Sequence, residues 1–322
     1  MSYNIENFRR IREEYKEKYK KAEAAADVRR RELWDRIEGL RELDRVLSAT
    51  GPRLLNAVIG KSGESFEKVK ADAERLNHER AILLATHGYP ADYSDPRYEC
   101  EKCHDSGYVD GEICECMKLR LRMAGYESSG IAKLMGEQTF ESFRLDYYRT
   151  NQRSYENMSY VLRTMREYAE NFNPDKSGNL LLLGGTGLGK THLSTALAKT
   201  LIDNGYDVVY TGAIGMIADF EKNRFGNSAG GESGNDLDRY YGCDLLIIDD
   251  LGAEVSNQFT VSTIYSVLNN RISLGLPTVI STNLNQTELN ARYWDRITSR
   301  ILGEFRPLLF SGSDVRKLKL TE

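Results

Sequence analysis

The spacing of apolar residues changes about halfway along the chain. Up to residue 172 they recur three and four apart among charged neighbours, the spacing of a single helix face. Beyond it, short unbroken apolar runs alternate with longer periodic stretches, which predicts buried strands alternating with helices. In the first half, Phe8, Ile11, Tyr15 and Tyr19 make one stripe, and Leu33, Ile37, Leu40, Leu43 and Leu47 another. Residues 4–47 therefore predict a long helix or a helical hairpin with a narrow apolar seam. The rest of that surface is Glu, Lys and Arg of both signs, often three or four apart. Thr50, Gly51 and Pro52 predict a break. Helices are expected over 52–59, 64–86, 117–135 and 151–172, with Gly88 and Pro90 ending the second of these. Thr139, Phe140 and Phe143 form a short aromatic segment between the last two.

In the second half, four consecutive leucines at 180–183 predict a buried strand, and a helix follows from Lys190. Further strands are expected at 208–211, at 243–248 leading into Asp249 and Asp250, at 277–282 with Asn283 at its tip, and at 308–310. The glycine-rich polar stretch 227–235 predicts a mobile loop. A late helix carries Arg296 and Arg300 one turn apart, and Arg316 follows the last strand.

The turn after the leucines reads Gly184, Gly185, Thr186, Gly187, Leu188, Gly189, Lys190, Thr191, His192. It satisfies G-x-x-x-x-G-K-[ST] between a strand and a helix, the context that gives the pattern meaning. Glycines let successive N–H groups converge on an anion, and the helix start adds its positive dipole end. Lys190 is expected to reach the β- and γ-phosphates of a nucleotide, and the Thr191 hydroxyl to hold Mg2+. In a parallel sheet the acids after 243–248 lie at the carboxyl edge, where ligands bind. Asp249 is expected to hold the Mg2+ shell, directly or through water, and Asp250 to polarise an attacking water. Asn283 is expected to orient water near the γ-phosphate.

Four of the five cysteines crowd together as Cys100, Cys103, Cys114 and Cys116. Two close pairs around a short glycine-containing segment, foldable as a small hairpin, can converge tetrahedrally on one Zn2+. The second pair is tighter than usual, so His104 stands as an alternative ligand; a redox dithiol is the competing reading. Four thiolates would leave no open position, so the expected zinc is structural. Cys243, just before a strand, reads as a small buried filler.

Composition narrows the classes. The 322 residues allow two or three domains, and 40% hydrophobic content permits a sizeable core. A net charge of −4 excludes a global basic field, so any nucleic-acid contact is local; acids near Arg29, Arg30 and Arg31 cancel that basic run. No apolar run reaches membrane-spanning length and the start MSYNIENFRR has no apolar core, so the expectation is a cytoplasmic protein with no membrane partner.

Glycine-rich turn, Asp-Asp strand, Asn-tipped strand and two separated arginines, in this order, resemble an AAA+ ATPase. From 139 to 316 the chain is similar to the DnaC/DnaI-type bacterial replicative helicase loaders, a superfamily shared with the IstB transposition helpers. LIIDDLG, STNL and R-I-x-x-R-I carry the likeness. The helices and cysteines upstream resemble the zinc-containing region of Gram-positive loaders. The resemblance implies an α/β AAA+ domain with a central parallel sheet flanked by helices (136–322), preceded by a helical partner-binding region (1–94) and a zinc module (95–135). It implies ATP, Mg2+ and Zn2+ as cofactors. It makes Lys190 and Thr191 the Walker A pair, Asp249 and Asp250 Walker B, Asn283 sensor 1, Arg300 the arginine finger in preference to Arg296, and Arg316 the sensor 2 arginine. Asp250 stands where most AAA+ proteins have Glu, which implies slow turnover. The implied partners are the hexameric replicative helicase, single-stranded DNA and a second copy of the chain across the ATP site. The alternatives are an IstB-like transposition helper, a small-molecule kinase or a nonhydrolysing scaffold.

Overall fold

The computed structural model describes residues 3–59, 64–131, 137–226 and 237–319. The expected mobile loop at 227–235, and the end of the helix expected over 117–135, lie outside the described residues. Contacts divide the chain into two compact units, Arg12–Cys116 and a unit joining Met1–Ile11 to Met117–Glu322.

Helix α1 (Ile5–Arg36) is followed by α2 (Leu40–Val58) and α3 (Phe66–Thr86). The break falls at Gly39, which adopts φ 82°, and not at Pro52, which lies inside α2. A left-handed residue cannot continue a right-handed helix, whereas an internal proline removes one N–H and can be carried by packing. In the first unit Leu33, Ile37, Leu40 and Leu84 are buried together. Asp44 accepts from Trp34 Nε1 (2.8 Å) and from Arg80 Nε (2.7 Å). The basic run is used structurally: Arg29 donates to the carbonyls of Tyr93 and Asp95, and Arg30 pairs with Asp27. A hairpin of β1 (Tyr108–Val109) and β2 (Glu112–Ile113) stands between the cysteine pairs and leads into α4 (Glu115–Ser129).

The second unit follows a strand–helix alternation: α5 (Gln152–Glu170), β3 (Asn179–Leu183), α6 (Lys190–Asp203), β4 (Val208–Gly212), α7 (Ala213–Gly226), α8 (Asp238–Gly242), β5 (Leu245–Leu251), α9 (Gln258–Leu274), β6 (Thr278–Thr282), α10 (Gln286–Glu304), β7 (Phe305–Leu309) and α11 (Val315–Lys319). The strands form one parallel sheet in the order β4-β5-β6-β3-β7. Alternate side chains feed two cores, as a strand's two-residue period requires. Leu180, Leu182, Val208, Tyr210, Leu245 and Ile247 pack with α5 and α6. Leu181, Val209, Leu246, Ile248 and Ile280 pack with α7, α9 and α10. The last strand begins earlier than the expected 308–310 and includes Pro307, which an edge strand accepts because one side of it needs no N–H donor.

Arg271 of α9 is fully buried and stitches the amino ends of β5 and β6. Its guanidinium donates to the carbonyls of Tyr240, Cys243 and Pro277 and to Thr278 Oγ1, with Cys243 Sγ as a further acceptor at 3.3 Å. Cys243 is thus buried, as expected, but also holds a cation. Arg271→Leu leaves those acceptors without a donor and should lower stability by about 3 kcal/mol, read from urea denaturation.

Candidate nucleotide and metal sites

The loop after β3 closes around its own lysine. Lys190, the first residue of α6, is buried, and its Nζ donates to the carbonyls of Gly184 (2.6 Å) and Gly185 (2.8 Å) and to Asn283 Oδ1 (2.6 Å). Burial holds its ammonium below the ordinary lysine value, against the pull of Asp250 and Asp249. The loop needs its glycines. At Gly189 φ is 89° and a Cβ would sit 2.7 Å from the Phe143 ring; at Gly187 φ is 79° and a Cβ would run into the Asp314 carboxylate.

The two acids are not equivalent. Asp249 Oδ2 accepts from Thr191 Oγ1 at 3.0 Å, and its Oδ1 accepts from Ser281 Oγ at 2.5 Å. Asp250 Oδ1 accepts from Asn283 Nδ2 at 2.7 Å, while the Asp250 N–H donates to Ser281 Oγ at 2.9 Å. Strand β5 does not end at the acids as expected but runs through them to Leu251. A register irregularity between Ile248 and Leu251 and φ 57° at Asp250 accompany that continuation. Both acids thereby line the same cavity of about 490 Å3 as Thr186, Gly187, Lys190 and Asn283. Its size falls in the range of small-ligand sites. The Thr191–Asp249 oxygen pair is the donor set that a hard divalent cation takes.

A strap formed by 137–143 makes another wall. His192 Nε2 bonds the Thr139 carbonyl (2.8 Å) and Ser142 Oγ (3.2 Å). The Phe143 ring meets His192 edge-on and stacks on Tyr148, whose hydroxyl donates to the Leu188 carbonyl at 2.9 Å. His192 thus ties the strap to α6. Sequence reasoning missed Ser281, Tyr148, Asp314 and the strap's Gln138. None of the four carries a signal of its own in the sequence; only the aromatic segment 139–143, which follows Gln138, does.

The arginines separate. Arg316 lines the cavity at the start of α11, where its N–H donates to Asp314 Oδ1 (3.0 Å) and the Val315 N–H bonds the Gly187 carbonyl (3.0 Å). Arg300 does not line the cavity. It lies over the Tyr265 ring at 5.7 Å, and α10 carries it roughly 20 Å from that helix's first residue. The Arg296 side chain lies outside the described residues.

In the other unit, the sulfurs of Cys100, Cys103, Cys114 and Cys116 all lie within 4.8 Å of one another, with Cys100–Cys114 at 3.9 Å and Cys103–Cys116 at 3.5 Å. A tetrahedral Zn2+ with bonds of about 2.3 Å separates its sulfurs by about 3.8 Å, so the thiols fit the ion. Asp105, at φ 56°, accepts the N–H groups of Glu99 and Cys100 at 2.9 Å and shapes the first knuckle. His104 is exposed, stacks on Tyr98 at 4.9 Å, and is not part of the sulfur cluster.

A family profile described as "IstB-like ATP binding protein" matches residues 122–304, more than half of the chain. The replicative helicase loader DnaC of Escherichia coli (strain K12) is 27% identical over 194 residues, 59% of this chain and 74% of that protein. The protein of the same name from Buchnera aphidicola subsp. Baizongia pistaciae is 27% identical over 190 residues, 59% of this chain and 73% of its own length. A crystal structure of the DnaC helicase loader aligns with TM-score 0.47 at 21% identity, covering 56% of this chain and 99% of that one. Among the described residues no helix is long and apolar enough to cross a membrane. With its family match spanning the turn, both acids and the tip of β6, the chain belongs to the IstB/DnaC family of ATP-binding proteins.

Proposed function

We propose that this protein is an ATP-dependent loader of the hexameric replicative DNA helicase onto single-stranded DNA. The observation that carries the reading is the amide of Asn283, which joins the buried Lys190 ammonium to the Asp250 carboxylate inside an ATP-binding family domain. Relatives named as replicative helicase loaders supply the partner class.

Lys190 spends its three N–H bonds on two loop carbonyls and Asn283. A γ-phosphate is a stronger acceptor than any of these, so binding draws the ammonium off Asn283. The freed amide keeps Asp250 oriented toward the attacking water. Thr191 and Asp249 would hold Mg2+, which would supply positive charge to offset that of the phosphates. Arg316 reaches the nucleotide from its own chain. Arg300, outside its own cavity, serves the site of a neighbouring copy, so hydrolysis requires self-association. Asp250 has one methylene fewer than Glu and stands farther from the water, which suits a slow switch. The region 1–94 and the cysteine module grip the helicase, with zinc bound by Cys100, Cys103, Cys114 and Cys116 as a structural crosslink.

Co-purification with the replicative helicase, with and without ATP, tests the function; no complex with the full-length chain in either state sinks it. Lys190→Ala should abolish ATP binding by equilibrium titration. Arg300→Ala should bind ATP normally yet lose about 10³-fold in assembled-state hydrolysis, and wild-type turnover should rise with protein concentration. Metal analysis should find about one equivalent of zinc per chain, lost in Cys103→Ser, with a lower melting temperature after chelation.

A further inference from the structure

One hydroxyl in the nucleotide cavity decides how much of Asp249 a cation can reach. Ser281 lies on β6, is buried, and lines the cavity beside both acids. Its Oγ stands 2.9 Å from the Asp250 nitrogen and 2.5 Å from Asp249 Oδ1. A backbone N–H can only donate, so the hydroxyl must accept from Asp250. Its single proton is then left for Asp249 Oδ1, and the direction of the second bond is dictated by the first. The strand around this hydroxyl is held on both sides. Ile280 pairs with Ile248 and Thr282 with Leu251, and Thr282 Oγ1 donates to the Leu251 carbonyl at 2.6 Å.

The consequence falls on the carboxylate. Oδ1 is taken by a bond that the negative charge strengthens. Oδ2 faces Thr191 Oγ1 at 3.0 Å. Tyr210, the other hydroxyl near Asp249, is buried and bonds Ser194 Oγ at 3.0 Å. Asp249 therefore offers a cation, or a water on that cation, one oxygen and not two. Divalent cations differ in what they ask of such a group. Mg2+ has a small octahedral shell and keeps several waters, so one carboxylate oxygen suffices. Ca2+ is larger, takes more oxygens and commonly uses both oxygens of a carboxylate.

We infer that Ser281 sets the cation specificity of the nucleotide site: by holding Asp249 Oδ1 it keeps the carboxylate a one-oxygen ligand and so favours Mg2+ over Ca2+. This rests on the nucleotide-site reading above and adds to it the residue that chooses the ion. Ser281 acts through Asp249 and is a positioning residue.

The test is a set of ATP dissociation constants from equilibrium titration of the full chain, with Mg2+, with Ca2+ and with a chelator in place of either. Wild type should bind ATP about tenfold more tightly with Mg2+ than with Ca2+. Ser281→Ala frees Oδ1 and should bring that ratio close to unity, while the constant in chelator stays as in wild type. Ser281→Thr keeps the hydroxyl and should keep the ratio. Ser281→Cys, with a weaker donor of similar size, should fall between them and serves if Ser281→Ala does not fold. A merely structural role would weaken ATP binding by the same factor in all three conditions. Such uniform weakening, an unchanged ratio in Ser281→Ala and Ser281→Cys, or equal wild-type affinity with Mg2+ and Ca2+ overturns this inference alone. A wild-type chain that binds no triphosphate in any condition brings down the nucleotide site and this inference together.

Discussion

Lys190 is a cation in a place that disfavours cations, and much of the second unit is arranged to keep it there. Burial penalises its ammonium, so every N–H must find an acceptor. Two acceptors are carbonyls of the glycine-rich turn, which can point inward only because the loop takes backbone angles open to glycine. The third is Asn283, ninety-three positions away in sequence. Sheet register brings it there. Leu183 pairs with Thr282, so Gly184 and Asn283 are the first residues beyond the same rung. A slip of one residue would turn Asn283 away and put the leucines of β3 on the wrong cores.

The neighbouring pair of strands solves a different geometric problem. Successive strand residues point to opposite faces, so two adjacent acids should not both reach one cavity. Between Ile248 and Leu251 the pairing with β6 loses step: two residues lie between them on β5, where only Ser281 lies between their partners Ile280 and Thr282. The irregularity, with Asp250 in the left-handed region, lets Asp249 meet Thr191 while Asp250 meets Asn283. Ser281 then satisfies both the Asp249 carboxylate and the Asp250 N–H. The strain of one backbone angle is confined to the spot where two carboxylates are needed side by side.

What could be read from the sequence follows from how local each cause is. The glycine-rich turn, the leucine strand and the Asp-Asp edge are contiguous signals, and each corresponds to an element of the sheet. The helical hairpin expected as one alternative for 4–47 has its turn at Gly39, which takes a left-handed angle, while the break expected at Thr50, Gly51 and Pro52 does not occur, because packing carries the proline inside α2. Ser281, Tyr148 and Gln138 acquire meaning only after strands and strap are brought together, and no spacing rule anticipates that. The beginning of α1 is a similar case. Asn7 donates to the Ala124 carbonyl and to Ser128 Oγ, and Asn4 donates to Asp207, contacts more than a hundred positions apart. The charged pattern of 4–47 marks a helix but not these attachments.

Among the described residues, the unit of residues 12–116 has no sheet of more than two strands, and this bears on why it would need a metal. One of its buried apolar clusters comprises Leu33, Ile37, Leu40 and Leu84, and fixed polar contacts such as Arg80 with Asp44 hold helices to one another. The cysteine hairpin has strands of only two residues each, too short to persist on their own ladder. Asp105 shapes one knuckle but does not connect it to the other. Four sulfurs already within 4.8 Å of one another would supply that connection if a cation neutralised them, since unneutralised thiolates at such distances repel. With an ion bound, the segment would act as a crosslink whose ligands the backbone arranges and whose stability the ion supplies.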